Sequence, residues 1–565
     1  MATTARLLTA LAMLFTTAPL LAVDERPNIL LVLVDDMGYS DLGCYGGEIR
    51  TPNIDALAFD GLRFSTFYNA GRCCPTRAAL LTGLHPHQTG VGKMTFDEKK
   101  PGYRGFLQPN CVTIAEVLRE AGYQTSMIGK WHLALTREGP EHMKFLNNQA
   151  TLESFSERMS YPVGRGFESH YGTIWGVMNY FDPFSLVRDQ TAVRDVGEDY
   201  YATDAFTDEA VRKIHQHAEQ AAPFFMYLAY TAPHWPLHAR EEDIARYHHT
   251  YAGGWQQTRE ARYARQLKMG LFADADGARL SERHDKEHSW SEEQQQRWES
   301  RAMAVHAAMI DRVDQGMGKI VRALHEEGEF DNTLILFLSD NGASPERPGA
   351  PGFDRNSQTR RGEKVTYFGA GTAKDILPGD ETTYAGIGPR WANVSNTPFR
   401  YWKAHQHEGG IRTPLVVHWP AGLTATPGSI THQPGHIIDV MATCLPLGET
   451  DYPRTFRDTP ITPLAGKSLL PILRGEQRTG HPTLCFEHYG HRALRQGDWK
   501  LVAKADSPWE LYHLPSDQTE MHNLAAEQPD RCADLARQWQ AWAERSGVIA
   551  KKTPDTRPKQ KLSQR

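Results

Sequence analysis

Four short, almost wholly apolar runs constrain the fold of this chain more than any other feature. They are Asn28–Val34 (NILLVLV), Phe224–Tyr230 (FFMYLAY), Thr333–Ser339 (TLILFLS) and Pro414–His418 (PLVVH). Each has the length of a strand, and a strand apolar on both sides suits the buried parallel sheet of an α/β protein. Between the first two lies Thr113-Ile114-Ala115-Glu116, a capping box. Ile114, Val117, Leu118 and Ala121 form an apolar helical stripe behind it, Gly122 closes the helix, and a strand follows at Gln124–Ile128. Alternating strands and helices predict a mostly parallel sheet sandwiched by helices, in which ligands bind beyond the carboxyl ends of the strands.

The residues just past those strands carry chemistry. The first run delivers Asp35-Asp36, the short strand Gly129-Lys130-Trp131-His132, the next Thr231-Ala232-Pro233-His234, and the last of the parallel candidates Asp340-Asn341-Gly342. One such cluster is an ordinary turn or helix cap. Four at the same sheet edge predict a shared site. Hard oxygen ligands on two strands favour Ca²⁺, with Mg²⁺ second, over zinc, which prefers a tetrahedral set richer in His and Cys.

Composition sets outer limits. Apolar residues make up 40% and charged residues 23% of 565, which excludes a disordered chain. Area scaling gives a fold that buries roughly 78% of the unfolded surface, enough without disulfide staples. A net charge of −6 argues against a basic nucleic-acid binder, although not against a local basic pocket. The seven cysteines are an odd number, so at least one cannot pair within the chain.

The chain opens with Arg6 and an apolar run from Leu7 to Ala22. The run is short of the ~20 residues that span a bilayer, and residues 1–22 read as a secretory signal. The expectation is a periplasmic or secreted protein with no stable membrane insertion. Residues 23–464 form the expected catalytic unit. Within it, 238–302 reads as helical excursions outside the sheet, a solvated insertion, and 344–400 as an irregular loop layer near the site. Residues 465–550 read as a small α+β unit, with short antiparallel strands at Pro482–His488, His491–Gln496, Trp499–Lys504 and Glu510–His513 and a helix from about Pro529 to Arg545. Residues 551–565 are a basic tail, expected to be disordered.

The segment Gly71-Arg72-Cys73-Cys74-Pro75-Thr76-Arg77-Ala78-Ala79-Leu80-Leu81-Thr82-Gly83 reads as a loop entering a helix. Cys73 then lies at a helix N-terminus, which favours anions, as a low-pKa nucleophile or simply a buried cysteine. The pattern Cys-x-Pro-x-Arg resembles the signature of the type I sulfatases, whose first cysteine is oxidised to formylglycine (3-oxoalanine). The resemblance extends to Arg26–Leu30 leading into Asp35-Asp36-Met37-Gly38, Thr51-Pro52-Asn53-Ile54-Asp55 and Gly83–Gly90. It continues through Gly129–His132, Pro233-His234-Trp235-Pro236, Ser339–Gly342 and Lys403 ahead of Glu408-Gly409-Gly410, spanning about residues 26–420.

This resemblance implies an alkaline phosphatase-like fold with a small C-terminal antiparallel sheet plus helix, and an exported sulfuric ester hydrolase. It also implies a mechanism. Cys73, as a formylglycine hydrate, attacks sulfur with one hydroxyl and expels sulfate with the other. Asp35, Asp36, Asp340, Asn341 and the oxygen at position 73 would hold the metal, and Arg77 would orient them. Lys130 and Lys403 would neutralise sulfate, His132 would remove the hydrate proton, and His234 would bind sulfate and protonate the leaving alcohol. His488 and His491 are candidate substrate contacts, although arylsulfatase-like sequences tend to carry asparagine where His491 stands. The resemblance implies a formylglycine-generating maturase as a biosynthetic partner. The expected substrate is a sulfated carbohydrate, such as a galactose or amino-sugar O-sulfate of a glycan. Aryl sulfates, and the phosphonates or phosphodiesters cleaved elsewhere in the superfamily, are the alternatives.

Overall fold

A computed structural model of the chain describes residues 25–135, 161–183, 185–193, 195–272, 277, 279–282, 290, 293–350, 358–368 and 375–549. The expected signal at 1–22 and the basic tail at 551–565 lie outside the described residues. A ten-stranded sheet runs through the large unit, and its centre is Thr333–Ser339, Asn28–Val34, Phe224–Ala229 and Gln124–Gly129, adjacent in that order and all parallel. Alternation along these strands separates two layers. Ile29, Leu31, Leu33, Phe225, Tyr227, Leu334, Leu336 and Leu338 pack on one side with helices Cys73–Thr82, Ile114–Glu120 and Asp439–Leu447. Leu30, Val32, Val34, Met226, Leu228, Ile335 and Phe337 face the other side, with Ala202–Ala218 and the long helix Glu293–Glu326. Each of the Leu, Ile and Val side chains of Asn28–Val34 is at most 1% exposed, and full burial of each contributes roughly 1.5–3 kcal/mol.

The run at Pro414–His418 departs from the parallel expectation. It forms Leu415–His418, antiparallel to both Thr333–Ser339 and Leu62–Phe64. The reason is topological. The chain leaves Ser339 at the carboxyl edge, and the segments carrying Asp340 and Lys403 stay there, so the next strand must run back down the sheet. Burial on both faces therefore identified a central strand without fixing its direction.

The 238–302 region is helical where described, at Glu241–Ala245 and Gly254–Met269, but it is not merely a solvated excursion. Trp255, Arg259, Arg262 and Gln266 are buried. Arg262 reaches Asp41 and Glu48, each at 2.6 Å, and so clamps the loop that follows Asp35-Asp36.

Toward the C-terminus, Leu469, Ile472 and Leu473 pack into the large core. The strands Leu484–His488, His491–Gln496, Trp499–Ala503 and Glu510–His513 then form a separate antiparallel sheet. One face, with Cys485, Leu494, Leu501 and Leu511, holds Leu535, Trp539 and Ala543 of helix Pro529–Ser546. The other, with Leu484, Phe486, Ala493, Val502 and Tyr512, packs on Tyr68 and Ile411 of the large unit. All seven cysteines are free thiols, and among the described residues no helix is long and apolar enough to cross a membrane.

Candidate active site

The four parallel central strands end side by side, so their following residues converge by construction. Asp36 and His132 do so with left-handed backbones (φ 69° and 56°), a conformation that costs a non-glycine residue of order 1–3 kcal/mol and clusters at functional sites. Gly129 makes the turn before Lys130 possible. Its φ is 98°, and a Cβ there would lie 1.9 Å from the Ala229 carbonyl oxygen.

Arg77 is the hinge of the cluster. Although one turn into a helix, it is fully buried rather than a surface charge. One guanidinium nitrogen donates to the Lys130 carbonyl (2.8 Å), and the other donates to Asp340 (3.0 Å) and lies 3.3 Å from Asp35. Lys130 pairs with Asp35. Asn341 donates to Asp36 Oδ1 at 2.6 Å, and Lys403 Nζ donates to Asp36 Oδ2 at 2.9 Å. His234 Nδ1 donates to the Trp235 carbonyl (2.6 Å), which turns Nε2 toward Asp36 Oδ2, 3.5 Å away.

The electrostatics follow from this crowding. Burial alone would raise the Asp35 carboxyl, but Lys130, His234 and Arg77 pull it down to about 2. Asp340 goes the other way, pushed well above the usual range by burial and then by the negative charge of Asp35. Burial lowers His132 to about 4, so it is neutral at neutral pH, and among the described residues neither of its ring nitrogens has a hydrogen-bond partner. The Cys73 thiol at the start of helix Cys73–Thr82 is depressed well below its ordinary value by a hydrogen bond from Cys74, with His132 and Lys130 acting against the burial cost.

Asp35 Oδ1 and Asn341 Oδ1 are buried with no hydrogen-bond donor among the described residues, in a cluster of three carboxylates. Orphaned oxygens of this kind fit a hard divalent cation, and the donor set fits Ca²⁺ or Mg²⁺ better than zinc.

Above this floor opens a cavity of about 670 Å³, with Cys73, His132, His234 and Lys403 at its base and Met94, Phe96, Trp175, Val177, Trp235 and Pro348 on its walls. Gly176 passes so close to His132 that a Cβ would lie 2.2 Å from its ring. Of the twelve sequence-derived candidates, ten gather at this floor: Cys73, His132, His234 and Lys403 line the cavity, and Asp35, Asp36, Arg77, Lys130, Asp340 and Asn341 are linked beneath them. The other two do not line the cavity. His488 is fully buried, and His491 rests on the His405 ring (4.6 Å between centroids) with its Nδ1 accepting from the Ala505 amide.

Sequence reasoning passed over Glu346. Its carboxylate bridges Arg72 (2.8 Å), Lys403 (3.1 Å) and the Trp235 indole N–H (2.9 Å). Lys403 and Arg72 overcome burial to hold it well below the ordinary glutamate range. Its only sequence signal is an acid six residues beyond Asp340, inside the stretch read as irregular loop.

Buried carboxylates, paired lysines, two histidines and a cysteine in the first turn of a helix, all at the carboxyl edge of a parallel sheet, make up the anion-binding floor of an ester hydrolase. The chain belongs to the sulfatase family: that family's profile matches residues 27–450, and the C-terminal profile of N-sulphoglucosamine sulphohydrolase matches 399–541. It is similar to an arylsulfatase of Klebsiella aerogenes (32% identity over 81% of this chain and 94% of that one). It is also similar to an uncharacterized sulfatase of Schizosaccharomyces pombe (30%, 94% and 95%). Among solved structures, the crystal structure of Ps i-CgsB is 25% identical with a TM-score of 0.62, covering 92% of this chain and 93% of that one. The fold is thus that of a type I sulfatase of the alkaline phosphatase-like superfamily, and the activity is sulfuric ester hydrolysis.

Proposed function

We propose that the chain is an exported sulfatase that cleaves sulfate monoesters with Cys73 oxidised to formylglycine, and that its natural substrate is a sulfated carbohydrate. The observation that carries this reading is the convergence on Cys73 of a helix N-terminus, the neutral imidazole of His132 and buried cations at the floor of one cavity. The hydrate of the aldehyde supplies two geminal hydroxyls, one to attack sulfur and one to drive sulfate off again. Asp35, Asp36, Asp340 and Asn341 would hold the divalent cation, Ca²⁺ in preference to Mg²⁺, which supplies Lewis-acid polarisation at the sulfate oxygens.

The remaining steps belong to side chains. Lys130 and Lys403 neutralise sulfate charge at the cavity base. His132, neutral and with neither ring nitrogen hydrogen-bonded among the described residues, accepts the hydroxyl proton at position 73. His234 keeps one proton on Nδ1, directed at the Trp235 carbonyl, and a second proton taken up at Nε2 from solvent would pass to the departing alcohol, returning the ring to its neutral form. Arg77 positions Asp35, Asp340 and the Lys130 carbonyl at once.

The cavity has the size of a small-ligand site, and Phe96, Trp175 and Trp235 offer flat surfaces for the apolar face of a sugar ring. The same walls favour an aryl sulfate as the second reading. Sulfate release from a panel of sulfated glycans, run beside aryl sulfates and matched phosphodiesters, tests both. Higher kcat/KM on the phosphodiester than on the sulfate ester would overturn the reading. Peptide mass at position 73 after co-expression with a maturase should show the aldehyde, and an unmodified thiol in active protein would sink the mechanism. Export rests on residues 1–22, and N-terminal sequencing of secreted or periplasmic protein should begin at Val23.

A further inference from the structure

Formylglycine chemistry uses only one of two adjacent cysteines, and it leaves Cys74 without a task. In the thiol form of the chain, Cys73 Sγ, Cys74 Sγ and a ring nitrogen of His132 all lie within 4.8 Å of one another, and all three residues are buried. We propose that this thiol form is a soft-metal site: Cys73, Cys74 and His132 bind one zinc-like cation, with the cavity supplying the fourth position. The inference goes beyond the sulfatase reading, because it concerns the chain before position 73 is oxidised.

Geometry and chemistry support the site together. Zn–S bonds of about 2.3 Å and Zn–N bonds of about 2.0–2.1 Å in a tetrahedron separate sulfurs by about 3.8 Å and a sulfur from a nitrogen by about 3.6 Å. The three ligand atoms lie within 4.8 Å of one another, so a shift on the order of 1 Å in side chains already gathered brings them to that spacing. Cys73 and Cys74 occupy the first turn of helix Cys73–Thr82, where unpaired backbone N–H groups favour thiolates. His132 is 4% exposed, and among the described residues its two ring nitrogens find no well-aligned hydrogen-bond partner. Cys73 and His132 line the cavity, which gives the cation an entry path and an open coordination position.

This site is chemically distinct from the carboxylate cluster. Two thiolates and an imidazole select zinc or cadmium, whereas Asp35, Asp36, Asp340 and Asn341 select calcium or magnesium. Binding releases the two thiol protons to solvent, so the dication is matched by two thiolate charges, and the His132 nitrogen donates its lone pair. Oxidation of Cys73 to the aldehyde removes one sulfur and dismantles the site. Metal capture and maturation are therefore alternative fates of one residue.

The test uses the full chain expressed without a maturase, with Cys73 verified as a thiol by mass. Cadmium is titrated in a large excess of Ca²⁺, and the thiolate-to-cadmium absorption in the ultraviolet is followed. The expected result is saturation at one equivalent. Cys74→Ser and His132→Gln should each weaken binding by about tenfold or more while far-UV circular dichroism is unchanged. Formylglycine-bearing protein should lose the absorption. No thiolate absorption, unaltered binding in both variants, or the same absorption in the aldehyde form would each overturn the proposal. None of these results bears on sulfate hydrolysis by the matured enzyme, so the two readings fail separately.

Discussion

Two buried ionic clusters lie close together in this chain, and they differ in one respect that matters. Between the large unit and the C-terminal sheet, Lys500 pairs with Glu408 (2.7 Å) and Glu520 (2.8 Å), Arg412 lies 3.4 Å from Glu408, and Tyr68 donates to the same carboxylate. Two acids meet two bases, and both Glu408 oxygens accept hydrogen bonds. At the cavity floor, Asp35, Asp36, Asp340 and Glu346 meet Arg77, Lys130, Lys403 and Arg72, so formal charge is balanced there too. Charge count does not separate the clusters. Satisfaction differs: in the first cluster Glu520 Oε1 lacks a well-aligned hydrogen bond but has Lys500 Nζ 2.8 Å away, whereas at the cavity floor Asp35 Oδ1, Asn341 Oδ1 and both His132 nitrogens have no hydrogen-bond partner among the described residues. The first cluster completes a structure, and the second is arranged for groups that arrive from outside.

The sharpest way to break this comparison is to neutralise one member of each cluster. Asp340→Asn should lower kcat/KM by about 10³-fold, equivalent to about 4 kcal/mol, because it removes a proposed metal ligand and an Arg77 anchor. Its unfolding free energy without divalent cations should stay level or rise, since burial and Asp35 already disfavour the ionised Asp340. A loss of stability with activity retained would reverse the two roles. Lys500→Met should do the opposite. It strands Glu408 and Glu520 and should cost about 3 kcal/mol in denaturant unfolding, with kcat/KM of the folded fraction nearly unchanged.

pH provides a milder probe. His132 has its protonation lowered from 6.5 to about 4 in the folded state, so the unfolded chain takes up the proton first. Its contribution to stability is therefore complete above pH 6.5 and lost as pH falls toward 4. If His132 is the proposed base, kcat should drop about tenfold per unit below pH 4 as the imidazole is protonated. An acid limb centred near 6.5 would mean that the burial effect is not felt during turnover. Glu346→Gln should act more weakly. The amide still reaches Trp235 but no longer attracts Arg72 and Lys403, and kcat/KM should fall about fivefold, roughly 1 kcal/mol, with stability little altered.

Much of this second cluster was legible in the sequence because its signals are local. An apolar run ending in Asp35-Asp36 or Asp340-Asn341 announces both a buried strand and what stands at its end. Cys73 and Arg77 lie on one short helix with a proline in its first turn. Glu346 was not legible, because it follows no strand or helix and acquires its role only when Arg72, Trp235 and Lys403 arrive from three distant segments. The Glu408–Lys500 pair joins residues 92 apart, one at the start of the short helix Glu408–Ile411 and one on the strand Trp499–Ala503, and no periodicity marks it. The direction of Leu415–His418 was equally hidden, since burial pattern reports faces and not sense.

The smallest expected effect concerns a residue that pattern matching nominated and geometry did not. His491 was expected at the substrate, but its ring packs on His405 and its Nδ1 is engaged by the Ala505 amide. Burial holds it near pH 4, so it carries no charge at neutral pH with which to attract a sulfated ligand. His491→Ala should change KM by less than about twofold, and removal of a half-buried ring should cost only about 1 kcal/mol of stability. The variant His491→Asn, which restores the residue typical of arylsulfatase-like sequences, sharpens the test. A KM shift larger than threefold for both would mean that the hairpin tip at Tyr489-Gly490 moves on binding and carries position 491 to the substrate. Unchanged KM in both would leave recognition of the leaving group to the aromatic walls at Phe96, Trp175 and Trp235.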